Sequence, residues 1–171
     1  MNSLPAPGRR IFAAPIRWCS SSFLSFFFRS ATVTGGATGG SMFEQFSQAA
    51  VGVLNLAQQE ARRLGQNAVG TEQILVGLLA QNNTGAGRIL GDLGLSLGDV
   101  RKRIEQIVGR GNATPGTRIA FTPRAGRLLA AAVDEARALE HPQVEPEHIL
   151  LSLLKDSEGI AIRILDDIGV D

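Results

Sequence analysis

The stretch Val69-Gly70-Thr71-Glu72-Gln73-Ile74-Leu75-Val76-Gly77-Leu78-Leu79 recurs, in related form, as Val144-Glu145-Pro146-Glu147-His148-Ile149-Leu150-Leu151-Ser152-Leu153-Leu154. In each copy a helix-start signal precedes apolar residues at the i, i+1, i+4 and i+5 spacing of one buried helical face. These apolar residues are Ile74, Leu75, Leu78 and Leu79, and then Ile149, Leu150, Leu153 and Leu154. Each copy therefore predicts a helix that needs a partner to pack against.

The repetition extends well beyond this stretch. A fixed shift of 75 positions aligns residues 46–95 with residues 121–170 without a gap, and about 20 of the 50 aligned pairs are identical. One of these pairs is Glu60 with Glu135. So many matches at one fixed shift indicate an internal repeat. The chain is therefore predicted to be a tandem duplication.

The first repeat opens with two predicted helices, which point to an all-α fold. Ser47 is a suitable N-cap for a helix that runs to about Leu64 and ends at Gly65. Thr71 is predicted to cap the second helix. Residues 85–93 predict a short third helix, and a fourth begins after a suitable serine cap.

The inward faces of the two later helices follow from their spacing. In the third helix, Ile89, Leu90 and Leu93 are predicted to face inward. In the fourth, Val100 and Ile104 face inward, while the charged residues between them face water. The first repeat is thus predicted to contain four helices.

The second repeat follows the same order as far as the chain extends. Thr122 caps its first helix with Pro123 at the first helical position, and Pro146 opens the next helix. The sequence reaches Asp171 where a fourth helix would begin, so we expect a pseudo-twofold bundle of about seven to eight helices. Without that helix, part of the apolar face of the second repeat stays uncovered, unless neighbouring helices close over it.

Residues 1–41 differ in composition from the rest of the chain. This segment carries four arginines, several serines and no acidic residue, which is typical of an organelle transit peptide. Its apolar run, residues 23–28, is too short to span a bilayer, and a secretory signal is the rival interpretation. We predict a transit peptide and glycine-rich linker at 1–41 and a double-repeat domain at 42–171. The domain divides into repeat one (46–109), a linker (110–120) and repeat two (121–171).

The predicted domain carries a small negative charge. Four of the 17 basic residues lie in the first 41 positions, which leaves 13 basic against 16 acidic side chains and a net charge of −3. Nucleic acid and anionic lipid both require a basic face, so we expect neither nucleic-acid binding nor membrane insertion. The single cysteine, Cys19, also lies in the extension, so the domain contains neither a disulfide nor a thiolate metal site.

No catalytic or nucleotide-binding motif is recognisable in the sequence. A P-loop needs glycines followed by Lys and then Ser or Thr, but the glycine clusters at 35–40 and 109–116 contain no lysine. The two histidines, His141 and His148, lack HExxH or Ser/His/Asp spacing, and His148 is interpreted as a partly exposed residue in the first turn of a helix. We therefore expect no enzyme activity, no cofactor and no metal site.

Five short segments carry a family resemblance. They are Met42-Phe43-Glu44-Gln45-Phe46, Ala57-Gln58-Gln59-Glu60-Ala61-Arg62-Arg63-Leu64-Gly65, Gly70-Thr71-Glu72-Gln73-Ile74-Leu75, Phe121-Thr122-Pro123-Arg124-Ala125 and Glu147-His148-Ile149-Leu150. Together they resemble the Clp amino-terminal domain, the double repeat at the front of ClpC-type AAA+ chaperones. The resemblance covers residues 42–170 and implies an all-α pseudo-twofold bundle.

Each repeat offers a hydroxyl and a carboxylate near helix N-termini. Ser47 and Thr122 stand at the caps of the first helices, and Glu72 and Glu147 lie in the first turns of the second. Helix N-termini attract anions and carboxylates pair with guanidinium groups. The resemblance to ClpC-like domains implies that these positions recognise phosphoarginine on marked proteins and that the neighbouring surface docks adaptors. Pro146 departs from the family pattern, and the alternative is that both glutamates only stabilise their helices through the dipole.

A free-standing domain of this type behind a transit peptide is similar to the ClpT accessory proteins of plastids, which bind the ClpP/R protease core. The resemblance implies a non-catalytic accessory subunit in the plastid stroma that stabilises that core or modulates its assembly, with a ClpC-type chaperone or adaptors as further partners. Two alternatives remain: a substrate or adaptor receptor similar to a detached ClpC front end, and a truncated ClpC-type chaperone fragment. The mitochondrion is the alternative compartment.

Overall fold

A computed structural model describes residues 42–112 and 119–169 of the chain. The transit peptide predicted at 1–41 lies outside the described residues and stays a prediction. After a 3₁₀ turn at Met42–Gln45, the described part contains seven α-helices and one two-stranded sheet. The helices are α1 (Gln48–Arg63), α2 (Thr71–Ala80), α3 (Gly85–Asp92), α4 (Leu97–Ile107), α5 (Pro123–Ala138), α6 (Pro146–Lys155) and α7 (Ile160–Ile168), and the strands are β1 (Ala68–Val69) and β2 (Ala120–Phe121). The predicted all-α class is confirmed.

Two short backbone bridges join the repeats, and they are related to each other by the internal shift. Strands β1 and β2 pair in parallel with Val69 opposite Phe121. Phe46 pairs in parallel with Val144. Because Phe46 and Phe121, like Val69 and Val144, are 75 positions apart, each bridge is the counterpart of the other. The two repeats are thus joined by backbone pairing of equivalent segments, as the predicted pseudo-twofold bundle requires.

Helix α2 lies at the centre of the bundle. Every residue from Thr71 to Leu79 is buried, and α2 packs against α1, α3, α4, α6 and α7. A helix surrounded on all sides has to be apolar around most of its circumference. At Gly77 a Cβ atom would collide with the carbonyl oxygen of Val53, so α1 and α2 approach closely only because glycine stands there. The stretch that specifies the repeat also forms the core.

One predicted helix cap is wrong. Thr71 is the first helical residue of α2, and Gly70 occupies the N-cap position. The N–H of Gly70 donates to Oε1 of Gln73 at 2.7 Å, which is the reciprocal half of a capping box. The side chain that satisfies this helix start therefore comes from three residues inside the helix.

Three predicted core positions are also wrong. Ile89 and Leu93, predicted to face inward, are exposed, and so is Leu154 on the apolar face of α6. Leu90, between the first two, is buried as predicted. These side chains are exposed because no counterpart of α4 within the described residues covers the surface that α3 and α6 form. Of the two alternatives for that face, the uncovered one is confirmed.

Candidate functional site

The two hydroxyl caps lie against the second helix of the other repeat. The backbone N–H of Ser47 donates to the carbonyl of Val144 at 3.0 Å, and that of Thr122 donates to the carbonyl of Val69 at 2.8 Å. Ser47 therefore lies near the start of α6, which carries Glu147 in its first turn. Thr122 lies in the same way near the start of α2 and its glutamate. Each candidate hydroxyl therefore lies near the start of the helix of the other repeat that carries a candidate carboxylate.

The hydroxyl of Ser47 is fully used inside the protein. Its Oγ accepts a hydrogen bond from the N–H of Ala50 at 3.2 Å, as an N-cap does. The same hydroxyl donates to Oε2 of Glu145 at 2.6 Å. Since a serine hydroxyl has one proton to donate, it has none left for a ligand in this arrangement. Ser47 therefore links the two repeats through its hydrogen bond to Glu145.

Thr122 makes only half of the contacts that Ser47 makes. Its Oγ1 accepts from the N–H of Ala125 at 3.1 Å and so caps α5. The position equivalent to Glu145 is Gly70, which has no side chain to accept the hydroxyl proton. Within residues 42–112 and 119–169, no acceptor is assigned to this proton. We call the site formed by Thr122 and Glu72 the Thr122 corner. Its hydroxyl makes fewer contacts within the protein than that of Ser47.

Glu72 is a buried carboxylate without an ion-pair partner among the described residues. Its oxygens lie over Gly70, where a Cβ atom would be 2.5 Å from Oε2. Burial raises the pKa of Glu72 above its usual value, and a hydrogen bond from its own backbone N–H offsets part of that effect. The fold therefore holds this carboxyl group in surroundings that penalise its charge.

Glu147, the counterpart of Glu72, has a different environment. Its Oε1 accepts from the N–H of Ala86 at 3.2 Å, in the first turn of α3, where negative charge is favourable. This approach depends on Gly85, because a Cβ there would lie 2.5 Å from the same oxygen. The equivalent position, at the first residue of α7, is Ile160, which has a side chain where Gly85 has none. One substitution in the duplicated sequence thus separates the roles of the two glutamates.

His148 is buried, so its interpretation as a partly exposed residue is wrong. Its Nδ1 accepts from the N–H of Glu145 at 2.8 Å, and its Nε2 lies 2.7 Å from Nδ1 of His141. Because a backbone N–H can only donate, Nδ1 must be unprotonated and Nε2 carries the proton to His141. Burial, followed by the nearby His141, lowers the pKa of His148. The imidazole of His148 thus caps the start of α6 in the way that the amide of Gln73 caps the start of α2.

Glu145 is the functional residue that the sequence reasoning missed. It occupies the N-cap of α6, binds the hydroxyl of Ser47 through its side chain and binds His148 through its N–H. Glutamate is not among the preferred N-cap residues, so composition gave no signal. Its position three residues before His148 was the available signal, because Gly70 and Gln73 have the same spacing.

The described residues give little support to other kinds of site. No group of three or more His, Cys, Asp or Glu side chains within them is placed to hold a metal ion. None of their helices is both long enough and apolar enough to cross a membrane.

Comparison with known proteins identifies close relatives of this module. A family model described as Clp repeat (R) N-terminal domain matches residues 45–140 and 120–171. The chain is 49% identical over 131 residues to chaperone protein ClpC2, chloroplastic, of Oryza sativa subsp. japonica, which covers 77% of this chain and 14% of that protein. It is 48% identical over 130 residues to chaperone protein ClpC1, chloroplastic, of Arabidopsis thaliana, covering 76% and 14%. The chain thus spans about one seventh of the length of these relatives.

Solved structures show the same fold. The N-terminal domain of the caseinolytic protease associated chaperone ClpD from Arabidopsis thaliana superimposes with a TM-score of 0.63 and 28% identity, covering 75% of this chain and 90% of that domain. The N-domain of ClpV from Vibrio cholerae gives a TM-score of 0.64 at 18% identity, covering 82% and 88%. The second likeness concerns the fold alone.

Proposed function

This chain belongs to the family of Clp repeat (R) N-terminal domains, and we propose that it is a non-catalytic accessory subunit of an organellar Clp protease system. One observation carries the proposal. All four candidate ligand-binding side chains already bond within the protein: Ser47 to Glu145, Thr122 to Ala125, Glu147 to Ala86, and Glu72 to its own backbone N–H. The bundle meanwhile exposes several large apolar side chains. Such a module is better suited to binding protein surfaces than to holding a small charged group.

The proposed partner is the plastid ClpP/R protease core, which the subunit would stabilise or whose assembly it would modulate. The relatives at 48–49% identity are chloroplastic ClpC proteins, which supports the plastid as the compartment. A ClpC-type chaperone or an adaptor is a further partner on the same grounds. No P-loop occurs in the sequence, so this role requires no ATP hydrolysis by the chain itself.

Co-migration with the purified core tests this function. The full chain is mixed with ClpP/R rings in the absence of nucleotide and the mixture is analysed by analytical ultracentrifugation. We expect the chain to sediment with the rings, and a ClpC hexamer in place of the rings serves as the comparison. Sedimentation of the chain as an independent species with the rings present would remove the core-subunit role.

A receptor for marked substrates is the second candidate, and the Thr122 corner favours it. There a hydroxyl without an assigned acceptor lies near the start of α2, where the buried Glu72 has no ion-pair partner among the described residues, and a phosphoarginine side chain would pair with both groups. The double variant Glu72→Ala, Glu147→Ala should abolish phosphoarginine binding in calorimetry. Because Glu147 is engaged by α3, Glu72→Ala alone should remove most of it. Unchanged affinity in the double variant would discard this candidate.

The remaining alternative is that the chain is a piece of a longer ClpC-type chaperone. Continued coding sequence with a P-loop after the last residue would establish it. In that case the same surfaces would serve the chaperone.

A further inference from the structure

The large apolar side chains exposed in the described part of the chain all have less exposed counterparts in the other repeat. The exposed residues are Ile89 (51%), Leu93 (53%), Leu139 (50%), Leu151 (39%) and Leu154 (51%). Their counterparts, in the same order, are Ile164 (0%), the partly buried Ile168, Leu64 (1%), Val76 (1%) and Leu79 (7%). Exposure therefore follows the difference between the repeats and is not scattered over the surface.

Helix α4 accounts for this difference. It packs against α2 and α7, the two helices that carry four of the five covered counterparts. Its own Val100 and Ile104 are completely buried there. The pseudo-twofold equivalent of this seat lies on α6 and α3, which carry Ile89, Leu151 and Leu154, and Leu93 follows directly after α3. We call this surface, with Ile89, Leu93, Leu139, Leu151 and Leu154, the α3–α6 face.

Three ion pairs hold α4 in its seat: Arg63 pairs with Glu105 of α4, and two arginines of α4 pair with acids on other elements. Arg101 Nη2 lies 2.8 Å from Oε2 of the buried Glu60, and Arg103 Nε lies 3.1 Å from Oδ2 of Asp167. The arrangement orients the helix as well as attracting it, because the two basic residues reach acids on different elements. A helix that seats correctly thus needs both an apolar stripe and basic residues at fixed positions.

The pseudo-twofold equivalent of the α4 seat keeps both acids without the arginines. Glu135 is the counterpart of Glu60, and its partner is the exposed Lys155. Asp92 is the counterpart of Asp167, and it forms no ion pair within the described part of the chain. The α3–α6 face thus keeps the apolar surface and the acidic positions of the α4 seat.

We propose that the α3–α6 face is a docking site for an amphipathic helix of a partner protein, with the apolar spacing of Val100 and Ile104 and basic residues at the places of Arg101 and Arg103. Those basic residues would reach Glu135 and Asp92. The inference holds for any partner that carries such a helix, and it does not depend on the ClpP/R role proposed above. Helix-in-groove recognition of this kind uses apolar anchors at i and i+4.

A second copy of the chain is a poorer occupant. Its α4 is already buried within its own chain and would have to leave that seat to bind in exchange. Two α3–α6 faces meeting each other about a twofold axis would bring their equivalent acids, Glu135 and Asp92, into a single interface. Like charges placed in this way oppose association. A free basic amphipathic helix satisfies the face without either cost.

The chain supplies a probe for this site. A labelled peptide of residues 96–109, capped at both ends, carries the α4 sequence and can be titrated against the full protein by fluorescence anisotropy. We expect saturable binding that Leu154→Glu weakens by about tenfold or more, as for a central apolar anchor. Since Leu154 is half exposed, this variant should still fold. Asn55→Glu, which adds the same charge on the exposed side of α1, should leave binding unchanged.

A charge exchange fixes the register of the bound helix. Glu135→Arg should weaken binding of the peptide. A peptide that carries Arg101→Glu should restore binding to the Glu135→Arg protein. If Leu154→Glu does not weaken peptide binding, the peptide binds in place of α4 on α2 and α7, and the proposal is overturned. A dimer of the free protein that Leu154→Glu dissociates would assign the face to a second copy, which also overturns it. Loss of peptide binding with intact sedimentation on the protease core would leave the proposed function standing.

Discussion

The hydroxyl of Ser47 donates a 2.6 Å hydrogen bond to Oε2 of Glu145, 98 positions away, and joins the start of α1 to the start of α6. The equivalent hydroxyl, Thr122, caps its own helix but reaches no such carboxylate, because Gly70 stands at the corresponding place. The duplicated halves are therefore joined by unequal contacts. Comparison of equivalent positions provides each experiment below with a control in the same molecule.

The two capping residues should differ in their contribution to stability. Loss of an N-cap hydroxyl costs about 1 kcal/mol, and we expect this for Thr122→Ala. Ser47→Ala should cost about 1 kcal/mol more, because the part-buried carboxylate of Glu145 also loses its donor. Urea unfolding followed by circular dichroism measures both values. Ser47→Thr, which keeps the hydroxyl, should have a free energy of unfolding near that of wild type. Equal losses for the two alanine variants would show that the hydrogen bond between Ser47 and Glu145 adds no stability.

Most of the fold could be predicted because the duplicated pattern is local and strong. The spacing of apolar residues predicted α1 and α2, and Thr122 with Pro123 marked the start of α5 as the structure has it. The exposure of Ile89 and Leu154 could not be read locally, since equivalent residues with the same identity are buried in the other repeat. Whether they are covered depends on α4, which lies elsewhere in the sequence.

The candidate site was harder to predict for the same physical reason. Glu72 and Glu147 occupy equivalent helix positions, yet only Glu147 reaches a neighbouring helix end. One difference between the two places is Gly85 against Ile160, and it acts through space, because Gly85 meets Glu147 from 62 positions away in the sequence. The sequence alone also left unseen that each cap lies against the second helix of the other repeat.

The buried acid of the first repeat should contribute more to stability than its counterpart. Glu60 accepts hydrogen bonds from Arg101 and Arg63, whereas Glu135 pairs with an exposed lysine. Glu60→Gln leaves Arg101 without a charged acceptor and Arg63 with Glu105 alone, and we expect a loss of about 2 kcal/mol in the free energy of unfolding. Glu135→Gln should cost about 0.5 kcal/mol or less, as for an exposed pair. Thermal and urea unfolding of the two variants decide this, and equal losses would refute the assigned role of Glu60.

Removing the charge of Glu72 and of Glu147 should have opposite effects at neutral pH. Burial raises the pKa of Glu72, so its stabilising contribution is present below its ordinary value of 4.5 and is lost as the pH rises through the higher pKa of the folded state. Glu72→Gln should therefore be more stable than wild type at pH 7 and should lose that advantage below pH 4.5. Glu147→Gln should lose about 0.3–1 kcal/mol at pH 7, because its charge favours the start of α3.

Urea unfolding at pH 7 and at acidic pH measures both glutamine variants against wild type. The prediction concerns the sign of the difference, which does not depend on the size of the pKa shift. A destabilised Glu72→Gln at pH 7 would show that the charge is compensated by a contact that the fold does not display. A stabilised Glu147→Gln would remove the assigned contact with Ala86.

His148 should make the stability of the protein depend on pH near neutrality. Its pKa is lowered by burial and by His141, so its stabilising contribution is complete above the ordinary value of 6.5 and is lost as the pH falls toward the lower pKa of the folded state. Protonation would also place a proton on Nδ1 opposite the N–H of Glu145 and break the cap. The carboxylates of Glu135, Glu145 and Glu147 oppose this effect by favouring the charged ring, but burial is the larger influence.

The first repeat provides the matched variant for this test. Gln73 fills the position of His148 and accepts the N–H of Gly70 through an amide that does not titrate. His148→Gln should therefore keep the cap of α6 and lose the decline in stability between pH 7.5 and pH 5.5 that wild type shows, which urea unfolding at the two pH values measures. His141→Asn controls for the exposed ring, and should retain most of the decline. A wild-type decline that survives His148→Gln would assign the pH dependence to another group, because the buried imidazole is the only feature removed at this cap.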